Sequence, residues 1–182
     1  MEKLGFQFIE GGIPYHDEYH NPPFLTIEFH KQMLPDDNPK WEYYKDIWKK
    51  ALPNKEIPGG YILSLEDVYI YQIVHLWKHY YEFGSGIRSI MDIYIYLEQI
   101  SSKMDWYYIK PELKKLDLYD FSNTVEALSK YWFSDCDREK WIRVNGVAAL
   151  EKNTLFSGTY GSKFAKRITE MDKLQVEKGN LQ

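Results

Sequence analysis

The segment at residues 64–83, SLEDVYIYQIVHLWKHYYEF, is the feature that most constrains the fold. Apolar and aromatic side chains lie around nearly the whole of this helical pattern, so a helix here has to be covered by other elements on most sides. Ser64 and Asp67 form a capping-box pattern at its start, and Gly84 marks its end. The helical pattern resumes almost at once in GIRSIMDIYIYLEQIS, which predicts two antiparallel neighbours. The sequence therefore predicts a helical bundle built around residues 64–83.

The remaining segments predict more helices and a few strands near the amino terminus. Amphipathic patterns predict helices at residues 38–52, 105–117, 120–133, 137–152 and 158–182. FQFIEGG has the pattern of a short strand, and IPYHDEYHNPP that of a turn-rich connector. FLTIEFH alternates strictly, with Thr26, Glu28 and His30 on one face. The predicted fold class is α+β, with a small β piece at residues 1–35 and a dominant helical bundle at residues 36–182.

Composition narrows the class of protein. Of the 182 residues, 44% are hydrophobic and 27% are charged, as is typical of a globular chain. The net charge of −4 gives no general electrostatic reason to bind nucleic acid. The single cysteine, Cys136, excludes an internal disulfide and a multi-cysteine zinc site. No apolar run is long enough for a membrane span or a signal peptide, so we predict a cytoplasmic protein without a membrane partner.

A polar stripe crosses the central helix. Its members follow 3-4-3 spacing and share one face: Gln72, His75, His79 and Glu82. Polar groups on a buried helix need partners. Arg88 and Asp92 come just after the turn and could supply them. We therefore expect His75 and His79 to face the helix that carries Arg88 and Asp92, with at least one hydrogen bond between the helices.

Three interpretations of this stripe stay open. His75 and His79 are spaced like zinc ligands, but the glutamate of the H-E-x-x-H motif is missing, and we expect no stoichiometric zinc in the protein purified without added metal. Arg88 and a histidine could instead donate to the phosphates of a nucleotide. The third interpretation is a structural hydrogen-bond network between adjacent helices.

Other motifs are weaker. Gly84-Ser85-Gly86 lacks the third glycine of a dinucleotide fingerprint and follows a helix rather than a strand. Residues 135–137 form an Asp-x-Asp string that could suggest a metal pair, but these aspartates lie between helical segments, where they serve more naturally as helix caps.

Several of these segments together resemble the uncharacterised nucleotidyltransferase family of the polymerase-beta-like superfamily. They occur in the order LGF, FLTIEFH, LSLEDVYIYQIVHLWKH, GSGIRSIMDIYIYL, MDWYYI, LDLYDF and YWF. The most specific parts are IEFH and the H-x-x-x-H followed by G-I-R-x-x-x-D. The resemblance covers nearly the whole chain.

The resemblance implies roles for six residues. Members of the superfamily hold two divalent metals between an Asp-x-Asp pair and a third carboxylate on a neighbouring strand, and the metals clamp the attacking and leaving oxygens. IEFH resembles the strand of the third carboxylate, so Glu28 is expected to be catalytic and to bind Mg²⁺, with His30 beside it. His75, His79, Arg88 and Asp92 are expected to line a pocket for a nucleotide or a small-molecule acceptor. The alternation alone fits equally well a Glu28 that merely faces solvent on an edge strand.

One departure from the family pattern concerns the Gly-Ser turn and the Asp-x-Asp pair, which in the family precede the matching region. Here Gly84-Ser85, Gly161-Ser162 and the Asp-x-Asp string at 135–137 lie elsewhere. We therefore expect a truncated or degenerate member, or a module whose catalytic half is another chain, that is inactive alone. The alternative is a non-catalytic helical binding or regulatory module. Exposed strand edges favour a homodimer or a partner chain in either case.

Overall fold

The computed structural model describes residues 1–9, 15–82, 84–135 and 138–157. Helices dominate and short antiparallel strands lie near the amino terminus, which confirms the predicted α+β class. The chain separates into two compact units, the first at Met1–Pro53 and the second beginning at Asn54. The predicted division after residue 35 stays a prediction.

The first unit contains a three-stranded antiparallel sheet. Its strands, in spatial order, are β1 (Gln7–Phe8), β2 (His16–Asn21) and β3 (Leu25–His30). The prediction of a connector throughout residues 13–23 is therefore wrong, because β2 occupies its centre. Asp, Asn and His have low strand propensity, but β2 is hydrogen-bonded on both sides, and this tertiary pairing decides its conformation.

The register of β2 and β3 fixes which side chains share a face. His16 lies opposite His30, and Glu18 lies opposite Glu28. Directly opposed residues in an antiparallel pair project to the same side. The predicted alternation in β3 therefore gives one polar face that also receives His16 and Glu18 from β2.

The other face of the sheet carries its apolar side chains, together with Asp17 and Asn21, and is partly exposed. Tyr19 packs against Phe8 and Phe29, with ring centroids 5.3 and 5.7 Å apart. Even so, Phe29 stays 49% exposed and Leu25 59% exposed. Neighbouring rings cover part of this face, and solvent reaches the rest.

The first unit continues with short helical turns rather than one helix. These are α1 (Trp41–Tyr44) and a 3-10 turn at Ile47–Lys50, followed by β4 (Leu52–Pro53). The predicted helix at 38–52 is therefore interrupted, with Asp46 at φ −112° and ψ 13°. Short helices are marginal by themselves, and here the burial of Tyr44 and Ile47 sets the path of the chain.

The second unit is the predicted helical bundle. Its elements are β5 (Tyr61–Ile62), α2 (Leu65–Glu82), α3 (Ile87–Ile100), α4 (Trp106–Lys115), α5 (Tyr119–Phe133), α6 (Arg138–Ile142) and α7 (Val147–Ser157). The predicted helix at 137–152 is divided in two, and Gly146, at φ +83°, ends the turn between α6 and α7. A left-handed conformation of this kind favours glycine. The predicted helix at 158–182 lies outside the described residues.

Two helices share the centre of the bundle. Helix α2 packs against α3, α4 and α5, and α5 packs against α2, α3, α4, α6 and α7. Ile73 and Val74 of α2 and Val125 and Leu128 of α5 are fully buried. Within the described residues, no helix combines the length and the apolar character that a membrane crossing needs.

The predicted cap of α2 is formed. Ser64 Oγ accepts from the Asp67 backbone N–H at 3.1 Å and donates to Asp67 Oδ2 at 3.2 Å. The Tyr108 hydroxyl of α4 donates to Asp67 Oδ1 at 2.9 Å. The capping carboxylate therefore also ties α4 to the start of α2, and this orients the helix that carries the polar stripe.

Candidate functional site

A pocket of about 310 Å³ opens between α2 and α3. Its lining comprises Gln72, His75 and Leu76 from α2 and Arg88, Ser89, Asp92 and Ile93 from α3. The short Gly84–Gly86 connection sets these helices side by side, so residues of both helices line one pocket. The structure thus brings together three of the predicted site residues, His75, Arg88 and Asp92.

The pocket has an apolar floor and a charged rim. Leu76 and Ile93 are buried, whereas the side chains of Arg88 and Asp92 are 76% and 58% exposed. Arg88 Nε lies 4.0 Å from Asp92 Oδ2, at the outer limit of an ion pair. Such an exposed and distant pair contributes little to stability. The guanidinium therefore keeps most of its capacity to donate to another anion.

Gln72 adds an unsatisfied acceptor to this pocket. Its Oε1 atom is buried and has no hydrogen-bond partner within the described part of the chain. Leaving a buried acceptor unpaired costs about 1–3 kcal/mol. The Gln72 side chain lines the pocket, and a rotation that turns Oε1 toward an N–H or O–H group of a ligand would remove this cost.

The two histidines of the stripe bond to each other. His75 Nε2 and His79 Nε2 are 3.1 Å apart, with the rings edge to face. Burial, with a smaller effect from the Lys78 charge, holds the pKa of His79 below its ordinary value. A nitrogen–nitrogen hydrogen bond also needs one unprotonated ring. The hydrogen bond between His79 and His75 thus joins two residues of the same helix, α2. A side-chain hydrogen bond from either histidine to α3 stays a prediction.

The zinc interpretation of His75 and His79 gains no third ligand. Across the residues that the structure describes, no other His, Cys, Asp or Glu joins this pair in a possible metal cluster. Structural zinc sites almost always have four ligands, and catalytic sites three from the protein. The geometry favours hydrogen bonding between these two rings.

A second cluster of chemically active side chains lies on the polar face of the sheet. His16, Glu28 and His30 each offer a donor atom, and these atoms lie within 4.8 Å of one another. His30 Nε2 is 3.2 Å from Glu28 Oε2. Glu28 is exposed and is grouped with two imidazoles, and its catalytic role stays a prediction.

Sequence reasoning missed His16. The surrounding Asn and Pro residues favoured a turn-rich connector, although His16, Glu18 and His20 repeat every second residue, as Glu28 and His30 do. Period-two spacing of polar side chains is the signal that could have revealed a paired strand. Opposition to His30 depends on register, which the period alone does not give.

The expected Mg²⁺ fits this cluster poorly. Mg²⁺ prefers oxygen ligands in octahedral geometry, whereas two of the three donors here are imidazole nitrogens. Glu18 lies opposite Glu28, but its Oε1 atom is 2.6 Å from His20 Nε2. Magnesium binding at Glu28 therefore stays a prediction that requires further oxygen donors.

The weaker motifs divide between described and undescribed residues. Gly84, Ser85 and Gly86 form the buried connection between α2 and α3. Of the Asp-x-Asp string, Asp135 is described, whereas residues 136–137 lie outside the described residues, as do residues 161–162.

Comparison with known proteins decides the family. The model of a family described as uncharacterised nucleotidyltransferase matches residues 1–134. The chain belongs to this family. The predicted resemblance is confirmed, and the matched region contains all six predicted site residues. No curated protein and no solved structure matches the chain.

Proposed function

We propose that this nucleotidyltransferase-like protein binds a nucleotide in the pocket between α2 and α3. The observation that carries the proposal is the composition of this pocket. A loosely paired Arg88, the His75 ring and the unsatisfied Gln72 acceptor surround an apolar floor. Ligand sites commonly combine apolar walls with a few convergent polar groups.

Each group has a distinct task in this proposal. Arg88 donates to phosphate oxygens, for which its planar fork is well suited. Gln72 Oε1 accepts from a hydroxyl or amino group of the ligand. Leu76 and Ile93 contact its apolar part. A volume of about 310 Å³ is at the lower end for ligand pockets, so we expect it to hold part of a nucleotide and to leave the rest in solvent.

We also propose that this chain alone does not complete nucleotidyl transfer. A two-metal centre needs several carboxylates to balance two divalent cations. Around Glu28 the nearest donors are imidazoles, and Glu18 is bonded to His20. In this proposal Glu28 acts as a metal ligand of the transferase once additional carboxylates are supplied from another segment or a partner chain.

The binding proposal is tested by calorimetric titration of the full chain with ATP, GTP, CTP and UTP. We expect at least one triphosphate to bind, and Ser89→Tyr to abolish binding because the larger side chain fills the pocket. Ser102→Tyr, on an exposed turn after α3, is the matched control. Binding that survives Ser89→Tyr unchanged would place the nucleotide elsewhere. If no nucleotide binds, the proposal fails.

The alternative function is a non-catalytic binding or regulatory module that acts through a partner chain. The exposed apolar face of the sheet favours it, since Phe29 and Leu25 are about half exposed there. Sedimentation of wild type and Phe29→Ser tests it. A dimer that dissociates in the variant, together with absent nucleotide binding, would favour the alternative.

A further inference from the structure

We infer that His16, Glu28 and His30 form a binding site for a divalent transition-metal ion of the zinc class. This inference goes beyond the proposed function, because it concerns the first unit alone and requires no nucleotide. Its starting point is that three donor atoms from two strands converge to within 4.8 Å of one another.

The donor chemistry selects the class of metal. Imidazole nitrogen with carboxylate oxygen is the ligand set that suits zinc and its neighbours, and two His with one Glu is a known combination in catalytic zinc sites. Mg²⁺ and Ca²⁺ prefer oxygen ligands throughout. The cluster therefore discriminates between divalent cations by ligand type.

The spacing also suits a tetrahedral ion. Bonds of about 2.0–2.1 Å at tetrahedral angles place neighbouring ligand atoms about 3.3 Å apart. His30 Nε2 and Glu28 Oε2 are already 3.2 Å apart. The His16 and His30 ring centroids are 5.1 Å apart across the strand pair, so a small side-chain rotation closes the site.

The burial of His16 supplies an independent observation. This side chain is only 5% exposed, and neither ring nitrogen has a hydrogen-bond partner within the described residues. Buried imidazoles are ordinarily hydrogen-bonded or bound to a metal. A metal ion would bind one of these two orphan nitrogens directly. In this site His16 would be the buried ligand, and Glu28 and His30 would be the two ligands next to solvent.

The exposure of Glu28 and His30 indicates an open site. Both side chains are close to half exposed, so a fourth position faces solvent. Three protein ligands with an open position are typical of catalytic rather than structural zinc centres. Water or an exogenous anion is expected to fill that position.

The test uses the full chain, stripped of metal with a chelator and titrated with Zn²⁺ and then with Co²⁺ as a spectroscopic probe. We expect one ion per chain, visible Co²⁺ bands of a tetrahedral site, and no displacement by millimolar Mg²⁺. Glu28→Gln and His30→Gln change exposed side chains and should each weaken Zn²⁺ binding by more than the roughly tenfold that loss of an outer-shell partner costs. His16→Asn should do the same and give an independent variant at the buried position.

Two controls separate this site from other histidines. His20→Gln changes the same face of the same sheet but leaves the cluster intact, and His79→Gln changes the histidine pair of α2. Both should bind Zn²⁺ like the wild type. Zn²⁺ binding that is unchanged in the cluster variants, loss of binding in either control, or no stoichiometric Zn²⁺ at all would overturn the inference. Because the assay contains no nucleotide, its outcome is independent of the pocket between α2 and α3.

Discussion

Arg88 and Asp92 should affect nucleotide binding in opposite directions. If the pocket between α2 and α3 binds phosphate, Arg88→Gln removes the donor and weakens binding. Asp92→Asn removes a negative charge beside the same site and strengthens it. If these residues had a purely structural role, the two substitutions would not change nucleotide affinity in opposite directions.

The size of each effect follows from exposure and distance. A hydrogen bond to a charged group contributes about 1.5–3 kcal/mol, and the lower end applies because the Arg88 side chain is 76% exposed. The ion pair between Arg88 and Asp92, at 4.0 Å, is weak, so breaking it reduces the free energy of phosphate binding only slightly. About 1.4 kcal/mol corresponds to a factor of ten, so Arg88→Gln should raise Kd about tenfold. Repulsion between a carboxylate and a phosphate about 6 Å apart in water is about 0.7 kcal/mol per charge, so Asp92→Asn should lower Kd about threefold.

The assay is displacement of a fluorescent nucleotide by unlabelled triphosphate, at low and at physiological ionic strength. Both effects should shrink as salt is added, since exposed charges are screened. Arg143→Gln is the matched control, because Arg143 is equally exposed and also pairs with an acidic residue four positions away, in α6. The reasoning is refuted if Arg143→Gln weakens binding as much as Arg88→Gln, or if Asp92→Asn also weakens it.

Four further predictions test the fold and the proposals. Tyr108→Phe should lower the free energy of unfolding by about 1.5 kcal/mol, since the hydroxyl bonds the capping carboxylate of α2, whereas Tyr107→Phe at a 94% exposed neighbour should change nothing in urea denaturation. Burial lowers the pKa of His79 below 6.5. As the pH is lowered from 6.5, the unfolded chain therefore binds a proton before the folded chain does, and the free energy of unfolding should fall until the pH reaches the folded-state pKa. His79→Gln should reduce this dependence of the free energy of unfolding on pH. The chain alone should release no pyrophosphate from labelled triphosphates with Mg²⁺ or Mn²⁺; turnover lost in Glu28→Ala would contradict this. If the sheet face that carries Phe29 mediates dimerisation, Phe29→Ser should shift sedimentation toward the monomer, and an unchanged profile would exclude that face.

Local patterns predicted the elements whose own side chains specify them. The cap of α2 depends on Ser64 and Asp67, which lie three residues apart, so sequence alone is sufficient. The alternation of β3 also follows from its own sequence. The adjacency of α2 and α3 follows from their short connection, which is too short to place α3 anywhere but beside α2. That adjacency is what brought His75 and Arg88 into one pocket.

Local patterns failed where distant contacts outweigh propensity. Strand β2 contains Asp17 and Asn21, which favour turns, and its pairing with β1 and β3 decides its conformation. The helix predicted at 38–52 is interrupted near Asp46, where burial of Tyr44 and Ile47 directs the chain. In both cases strand pairing or burial, rather than the local propensity of the segment, decides the conformation.

In the two candidate sites, too, some features follow from local sequence and others from the tertiary structure. The sequence by itself determined that Glu28 and His30 share one face of a strand and that Gln72, His75 and His79 share one face of a helix, because both follow from the periods of a strand and a helix. Only the tertiary structure decided that His16 lies opposite His30 and is buried there with unpaired ring nitrogens. Register depends on the turn and on both pairing partners, and burial depends on the whole unit, so neither is encoded in any single local pattern.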